Sequence, residues 1–321
     1  MTNYLQARGG PYASDTASMG GLPTTIPDVP VCAVFLVLYI CFAATNMTIF
    51  QLNRRKGHKF IPSAMMFGFC MSRLITMALR IAWSQHPTNV RLALAAQIFV
   101  NAGVLIIYII NLILAQRILR AKQPQVGWNP ILRKGFKVVY AMIGGALIMV
   151  ITAVVLMVYT LNPTVQERCR DVELAALTYL LVFNCLPALH IAAAVFLPKS
   201  QHEERFGQGS SRSQILIVTM SACFCMMIAG FKTGVNWSPV RLATNAAWYD
   251  SKACFYVFNF TFEIIALSIL TFSRIDKRFW IPNGSTKPGD YTHLGKSTPA
   301  GADAESLEDV STLHEKNGQA A

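Results

Sequence analysis

The chain has 321 residues, of which 53% are hydrophobic and only 14% are charged. Soluble domains contain about 25% charged residues, so this composition argues against one or two soluble globular domains. The 28 basic and 16 acidic side chains give a net charge of +12, and the eight cysteines are spread along the chain, which argues against a secreted disulfide scaffold.

In chain order, a polar segment at residues 1–28 comes first, and we expect it to be disordered and to lie outside the membrane. Seven apolar runs follow, each longer than the roughly 18 residues that a membrane span needs. Hydrocarbon offers the backbone no hydrogen-bond partner, so each run is predicted to be a helix. The predicted spans are 29–52, 60–84, 92–119, 138–161, 174–197, 214–236 and 252–273. The predicted fold class is therefore all-α, a bundle of seven transmembrane helices within residues 29–280.

The last segment, residues 281–321, is polar and acidic, with three Lys against six Asp or Glu. Such a segment cannot bury enough apolar surface to offset the entropy lost on ordering. We therefore predict a disordered tail.

Basic residues indicate how the bundle is oriented. The connections after the first, third, fifth and seventh spans contain sixteen Lys or Arg, and the opposite side contains five. The positive-inside rule then places the N-terminus outside and the C-terminus in the cytoplasm. This predicts a multi-pass membrane protein, without distinguishing the plasma membrane from an internal one.

Polar side chains recur at helical spacing inside several spans. Since they are costly in lipid, we expect them to face the bundle interior and to form a ligand cavity. Arg73 and Glu263 are predicted to pair near mid-membrane, below a basic rim of Arg80, Lys232 and Lys252. The alternative is that these groups serve only as contacts between helices. The candidate cavity residues are Arg73, Arg80, Gln97, Asn101, Tyr108, Asn111, Lys232, Lys252, Tyr256, Asn259 and Glu263.

Two cysteines could form a disulfide. Cys169 lies in a predicted outer connection and Cys254 at the start of the last span; the alternative is that they remain free thiols.

The sequence contains no motif of a known catalytic or cofactor site. It has no phosphate-binding loop, no nucleophile elbow and only one His within a span, so we predict no cofactor, no metal site and no enzymatic activity.

The last span and its C-terminal flank support a resemblance. With Phe255-Tyr256-Val257-Phe258, Phe262-Glu263 and the segment from Arg274 to Pro282, together with Ser72-Arg73 and Arg80, the chain resembles a fungal family of multi-span membrane proteins of unknown function. The resemblance covers roughly residues 30–282. More distantly, the number of spans and the buried charge are similar to those of the fungal lipid-translocating exporter family. Neither likeness implies catalytic residues.

Two functional hypotheses remain open. The first is a non-enzymatic protein that binds, and translocates, an amphipathic, lipid-like ligand through the polar cavity. The alternative is a seven-transmembrane receptor that signals to a cytoplasmic partner through the inner connections and tail. Membrane lipids are the expected partners, with anionic lipid at the cytoplasmic leaflet, and no nucleic-acid partner is predicted.

Overall fold

The computed structural model describes residues 10–198 and 200–293 and contains seven long helices, α1 to α7. Each is long and apolar enough to cross a membrane, so the predicted all-α, seven-helix fold class is confirmed. The helices are Thr25–Arg55, Ile61–Gln85, Val90–Lys122, Pro130–Tyr159, Pro163–Phe196, Ser211–Trp237 and Lys252–Phe272. Within the described residues the only β-type pairing is an isolated bridge between Thr16 and Leu242.

Helix α4 begins at Pro130 and α5 at Pro163, both earlier than the predicted spans at 138 and 174. Each has proline in its first turn, where the missing N–H costs nothing, and the asparagine just before caps the helix. These start signals lie upstream of the apolar runs. Cys169 therefore lies on the polar first turns of α5, and not in a loop as predicted.

The bundle is built around α3. This helix packs against α2, α5 and α6, whereas most of α4 is left uncovered by protein. Helix α7 packs its backbone closely on α6 and reaches α1 and α2 through long side chains. We call the end at which α1, α3, α5 and α7 begin the N-face, and the end at which they finish the C-face. Which face lies outside the cell stays a prediction.

An N-terminal strap, residues 10–24, lies across the N-face and forms four backbone hydrogen bonds there, one with the end of α4 and three with the connection between α6 and α7. They run from Tyr12 N to Val158 O, from Ala17 N to Arg241 O, from Gly20 N to Asp250 O and from Ala243 N to Asp15 O, at 2.8, 2.8, 2.9 and 2.9 Å. The predicted disordered segment 1–28 is thus wrong for its described part, because backbone pairing orders it without a core of its own. Residues 1–9 lie outside the described residues.

The predicted disordered tail also differs from the structure at its start. Residues 281–293 lie against the C-face and include a short helix, Asp290–His293, whose Tyr291 is only 3% exposed. The buried ring of Tyr291, a hydrogen bond from the Asn283 amide to Gly57 O and two hydrogen bonds to the Glu204 carboxylate hold this segment, and composition alone does not reveal such contacts. The rest of the predicted tail, 294–321, lies outside the described residues.

Helix α7 contains a π-helical turn at Val257–Thr261. The hydroxyl of Thr261 bonds the carbonyl of Tyr256 at 3.3 Å, and the ring of Phe258 stacks on Phe231 of α6 with centroids 3.7 Å apart. Such turns often occur at functional sites. This one separates the two charged clusters described next.

Candidate functional site

The first charged cluster, called here the N-face cluster, is centred on Asp28 of α1. Its carboxylate receives hydrogen bonds from Arg80 of α2 at 2.9 Å, from Lys252 at 2.5 Å and from the Tyr256 hydroxyl at 2.6 Å. Asp28 and Arg80 are buried, and Lys252 is 29% exposed. One carboxylate therefore joins three helices and faces two cations.

The predicted open basic rim is not formed by this cluster. Arg80 and Lys252 are paired with Asp28, and the strap covers Arg80, which donates to Gly20 O at 3.1 Å. The guanidinium also lies over the ring of Phe255, 4.0 Å from its centroid. Sequence reasoning missed Asp28 because it precedes the first apolar run and was assigned to the polar segment.

The second charged cluster, the central cluster, is the predicted Arg73–Glu263 ion pair, and the structure contains it. The contact is bidentate, at 2.7 Å from Nε and 2.5 Å from Nη2, and both side chains are fully buried. The Nη1 atom donates to the carbonyls of Phe99 and Val100 on α3, at 3.1 and 3.0 Å. Hydrogen bonding of this completeness is what a buried charge requires.

Gly103 of α3 makes room for the Arg73 side chain. A Cβ there would collide with the Ser72 hydroxyl and lie 3.1 Å from the guanidinium carbon. Gly103→Ala is therefore expected to lower the free energy of unfolding by about 1–3 kcal/mol, the usual cost of overpacking. Gly68→Ala on α2 is the matched control, because its Cβ would meet no atom within 4 Å. Equal thermal stability of the two variants in detergent would show that the guanidinium does not need this space.

Lys232 of α6 is the fourth cation of the interior, and it differs from the other three. It is 6% exposed, and its hydrogen-bond acceptor is the amide oxygen of Asn101, at a long 3.4 Å. None of the ion pairs between described residues includes it, although Glu263 is near enough to attract it. Of these four cations, Arg80 and Lys252 pair with Asp28, Arg73 pairs with Glu263, and Lys232 forms no ion pair with a described residue.

Asn101 also connects Lys232 to a cleft between α3 and α4. The cleft lining includes Gln97 and Asn101 on α3 and the apolar Leu147, Val150, Ile151 and Val154 on α4. Its free volume is 10 Å³, about enough for one water molecule. The cleft is therefore closed in this structure. Ile98 and Ala102 of α3 also line it, so its inner surface is apolar, with Asn101 at its edge.

The remaining predicted residues lie in two separate places. Tyr108 and Asn111 are buried beside Asn184 and Cys225, where the Asn111 amide contacts Cys225 Sγ at 3.2 Å. Asn259, in the π-helical turn, bonds the Phe255 carbonyl at 3.0 Å and contacts Met19 of the strap. Gln97 is exposed, so its predicted inward position is wrong, and the other ten residues are buried or half-buried but do not line one common cavity. A larger, apolar cavity of 280 Å³ lies elsewhere, between α5 and α6, and includes none of them.

Helix α1 contributes a row of polar contacts that sequence reasoning missed. Cys32, Tyr39, Asn46 and Asn53 are spaced seven residues apart and so share one face of the helix. Their partners, in the same order, are Tyr256, Glu263, Thr271 and Asp276. This seven-residue spacing was the signal available in the sequence. At the C-face end, burial would raise the pKa of Asp276, but hydrogen bonds from Arg274 and Asn53 outweigh burial and lower it.

The predicted Cys169–Cys254 disulfide is not formed. Both cysteines are free: Cys169 is buried on α5, and the Cys254 thiol points to the carbonyl of Trp248 at 3.6 Å. The prediction placed Cys169 in an outer connection, whereas the structure places it within helix α5. In the described part of the chain no three His, Cys, Asp or Glu side chains are grouped so as to hold a metal ion.

Comparison with known proteins gives one match. A family model described as a protein of unknown function (DUF3112) matches residues 124–211 and 204–280. The matched part includes α4 to α7, and hence Lys232 and Glu263, but not α1 to α3. No curated protein and no solved structure matches the chain. The match supports an uncharacterised family of membrane-helix bundles.

Proposed function

We propose that this chain, whose second half matches a family of unknown function, is a non-enzymatic membrane protein that binds an amphipathic ligand with an anionic headgroup. The observation that carries the proposal is Lys232, a buried cation that faces an amide and has no carboxylate of a described residue within ion-pair distance. An ionisable side chain without an ion-pair partner is costly inside a membrane span, and such residues usually mark a binding or transport site.

The surroundings of Lys232 favour a lipid-like ligand. Asn101, its hydrogen-bond partner, lines the cleft between α3 and α4, and the opposite wall of that cleft is apolar. A headgroup at Lys232 would thus leave an acyl chain between two helices. Helix α4 is the least buried of the seven, so its movement away from α3 would open the cleft directly to the membrane.

The same proposal includes the orientation and partners expected from the sequence. The basic C-face would lie in the cytoplasm and contact anionic lipid, with each charge contributing about 1 kcal/mol near the surface. Translocation of the ligand and the fungal lipid-exporter likeness belong to this proposal as well. They rest on the buried charge and on the cleft.

Lys232→Met tests the proposal. Purified protein is offered phosphatidate and phosphatidylcholine with the same acyl chains, and the retained lipid is measured by native mass spectrometry. The preference for phosphatidate should fall at least about fivefold in the variant, as expected for the loss of one cation worth about 1 kcal/mol. The matched control is Arg91→Met, which removes an exposed cation at the N-face end of α3, away from the basic C-face.

Unchanged lipid preference in Lys232→Met, with the control also unchanged, would remove the proposed headgroup site. Flux of a labelled amphiphile into liposomes containing only this protein would support translocation. Flux or binding that required a cytoplasmic protein would favour the receptor alternative.

A further inference from the structure

We propose that the C-face end of α3 forms a binding site for the phosphate of an anionic membrane lipid, and that residues 289–293 cover this site in the structure. The site consists of Arg117, Arg120 and Trp128. It lies at the opposite end of the bundle from the N-face cluster and uses none of the residues around Lys232.

Two guanidinium groups meet at this site, and neither forms an ion pair. Neither Arg117 nor Arg120 pairs with Glu204, whose carboxylate accepts from the Gly289 and Tyr291 N–H groups, or with any other described residue. Arg117 donates to the carbonyl of Phe279 at 2.6 Å, and Arg120 lies over the Trp128 ring, 4.8 Å from its centroid. The site therefore contains two cations without a paired anion among the described residues.

The donors of the site indicate what would complete it. The Nε of Arg120 and the indole Nε1 of Trp128 are both buried and form no hydrogen bond with a described residue, and the Tyr291 hydroxyl close to Arg120 is likewise buried and unpaired. Buried N–H groups are normally paired, so two unpaired donors beside two cations call for an anionic acceptor. Arg binds phosphate oxygens through several N–H groups at once, and basic pockets between helix ends are typical headgroup sites.

Gly127 places Trp128 at the site. A Cβ on this glycine would lie 2.6 Å from the Cα of Arg120, so only glycine permits the segment to approach α3 so closely. The arrangement of indole and guanidinium is thus built into the backbone. It does not depend on the segment that covers it.

The cover is held at two points. The carboxylate of Glu204 accepts hydrogen bonds from the backbone N–H of Gly289 at 2.7 Å and of Tyr291 at 3.0 Å. The Tyr291 ring packs against Trp128 and Phe206, with centroids 5.7 and 5.6 Å apart. Burial raises the pKa of the Tyr291 hydroxyl, and the charges of Arg120 and Arg117 oppose that rise. The neutral hydroxyl of Tyr291 thus lies beside two arginine cations, in a place where an anion would be more stable.

The cover can be released without disturbing the bundle. It follows the last span, and a side chain of the connection between α5 and α6 anchors it through backbone N–H groups alone. A lipid phosphate that competes with Tyr291 would therefore uncover the C-face. Removal of the cover should in turn strengthen lipid binding.

The experiment uses the full chain in nanodiscs of phosphatidylcholine with and without phosphatidate. Hydrogen exchange at the Gly289 and Tyr291 amides should become faster with phosphatidate.

Retention of phosphatidate should rise in Tyr291→Ala, which removes the ring that covers the site. It should also rise in Glu204→Gln, which preserves that ring and weakens only the hydrogen bonds that anchor the cover. It should fall about tenfold or more in Arg117→Gln/Arg120→Gln, the effect expected for two interfacial cations. Arg133→Gln/Lys134→Gln, which removes two exposed cations of α4 on the same face, is the matched control and should lose less.

Three results would overturn the proposal. The first is that both cover variants retain as much phosphatidate as the unchanged protein. The second is that the double arginine variant and the control lose the same amount of phosphatidate binding. The third is that phosphatidate does not change the exchange rate of the Gly289 and Tyr291 amides. Soluble glycerol 3-phosphate distinguishes the source of the phosphate. Faster exchange with the soluble compound but not with phosphatidate would overturn the assignment to a membrane lipid.

Discussion

Arg73→Met is expected to lower the free energy of unfolding by about 3–5 kcal/mol, the typical cost of leaving one partner of a buried ion pair unpaired. Without the guanidinium, Glu263 retains only the hydrogen bond from Tyr39, at 3.4 Å, in a fully buried position. Thermal unfolding of the detergent-solubilised protein measures the loss. The double variant Arg73→Met/Glu263→Leu should recover most of it, because well-packed apolar residues can replace a buried pair.

The pair Arg274–Asp276, in which Arg274 is 48% exposed and Asp276 is buried, is the control for this experiment. Because water solvates Arg274 and Asn53 also donates to Asp276, loss of Arg274 should cost less than loss of the fully buried Arg73, about 1 kcal/mol. Additive damage in the Arg73/Glu263 double variant would show that the two side chains do not act as a pair in the membrane. Damage equal to that of the Arg274 variant would show that the pair is solvated.

Asp28→Asn should have the second largest effect. The substitution preserves the size of the side chain but removes the negative charge that Arg80 and Lys252 share. Two neighbouring cations would then lack a carboxylate, and we expect a loss of about 3–5 kcal/mol together with release of the strap. Labelling by a thiol reagent measures the release, because Cys32, now buried beside Tyr256, should become reactive.

Asp15→Asn is the matched control, since Asp15 lies in the strap itself and its carboxylate is exposed. It should leave both stability and Cys32 labelling unchanged. If Asp28→Asn also left Cys32 protected, the strap would be held by its backbone hydrogen bonds alone, and Asp28 would not organise the N-face.

The seven helices could be predicted because each apolar run exceeds the length of a span, a property of sequence alone. Helix starts were less predictable: Pro130 and Pro163 begin helices in polar sequence, and hydropathy does not register such signals. The Arg73–Glu263 pair could be proposed because both residues lie near mid-span.

The neighbours of the other charges could not be predicted. Helical spacing shows that Arg80 and Lys252 face inward, but not that both reach the same carboxylate on α1. The predicted open rim was wrong for this reason. Likewise, the docking of Tyr291 depends on Glu204, which lies 87 residues away along the chain. Contacts between distant segments of this kind leave no local pattern.

Photolabelling from the lipid phase, mapped residue by residue, tests the central claim that polar side chains meet inside the bundle while the backs of the same helices face lipid. A diazirine-bearing phospholipid should label Val34 and Val37 on α1 and Ile75 on α2, which are exposed on the bundle surface. It should leave Tyr39 and Arg73, on the same two helices, and Glu263 unlabelled, as all three are buried. Equal labelling of the two sets would contradict the account, because the charged clusters would then face the membrane.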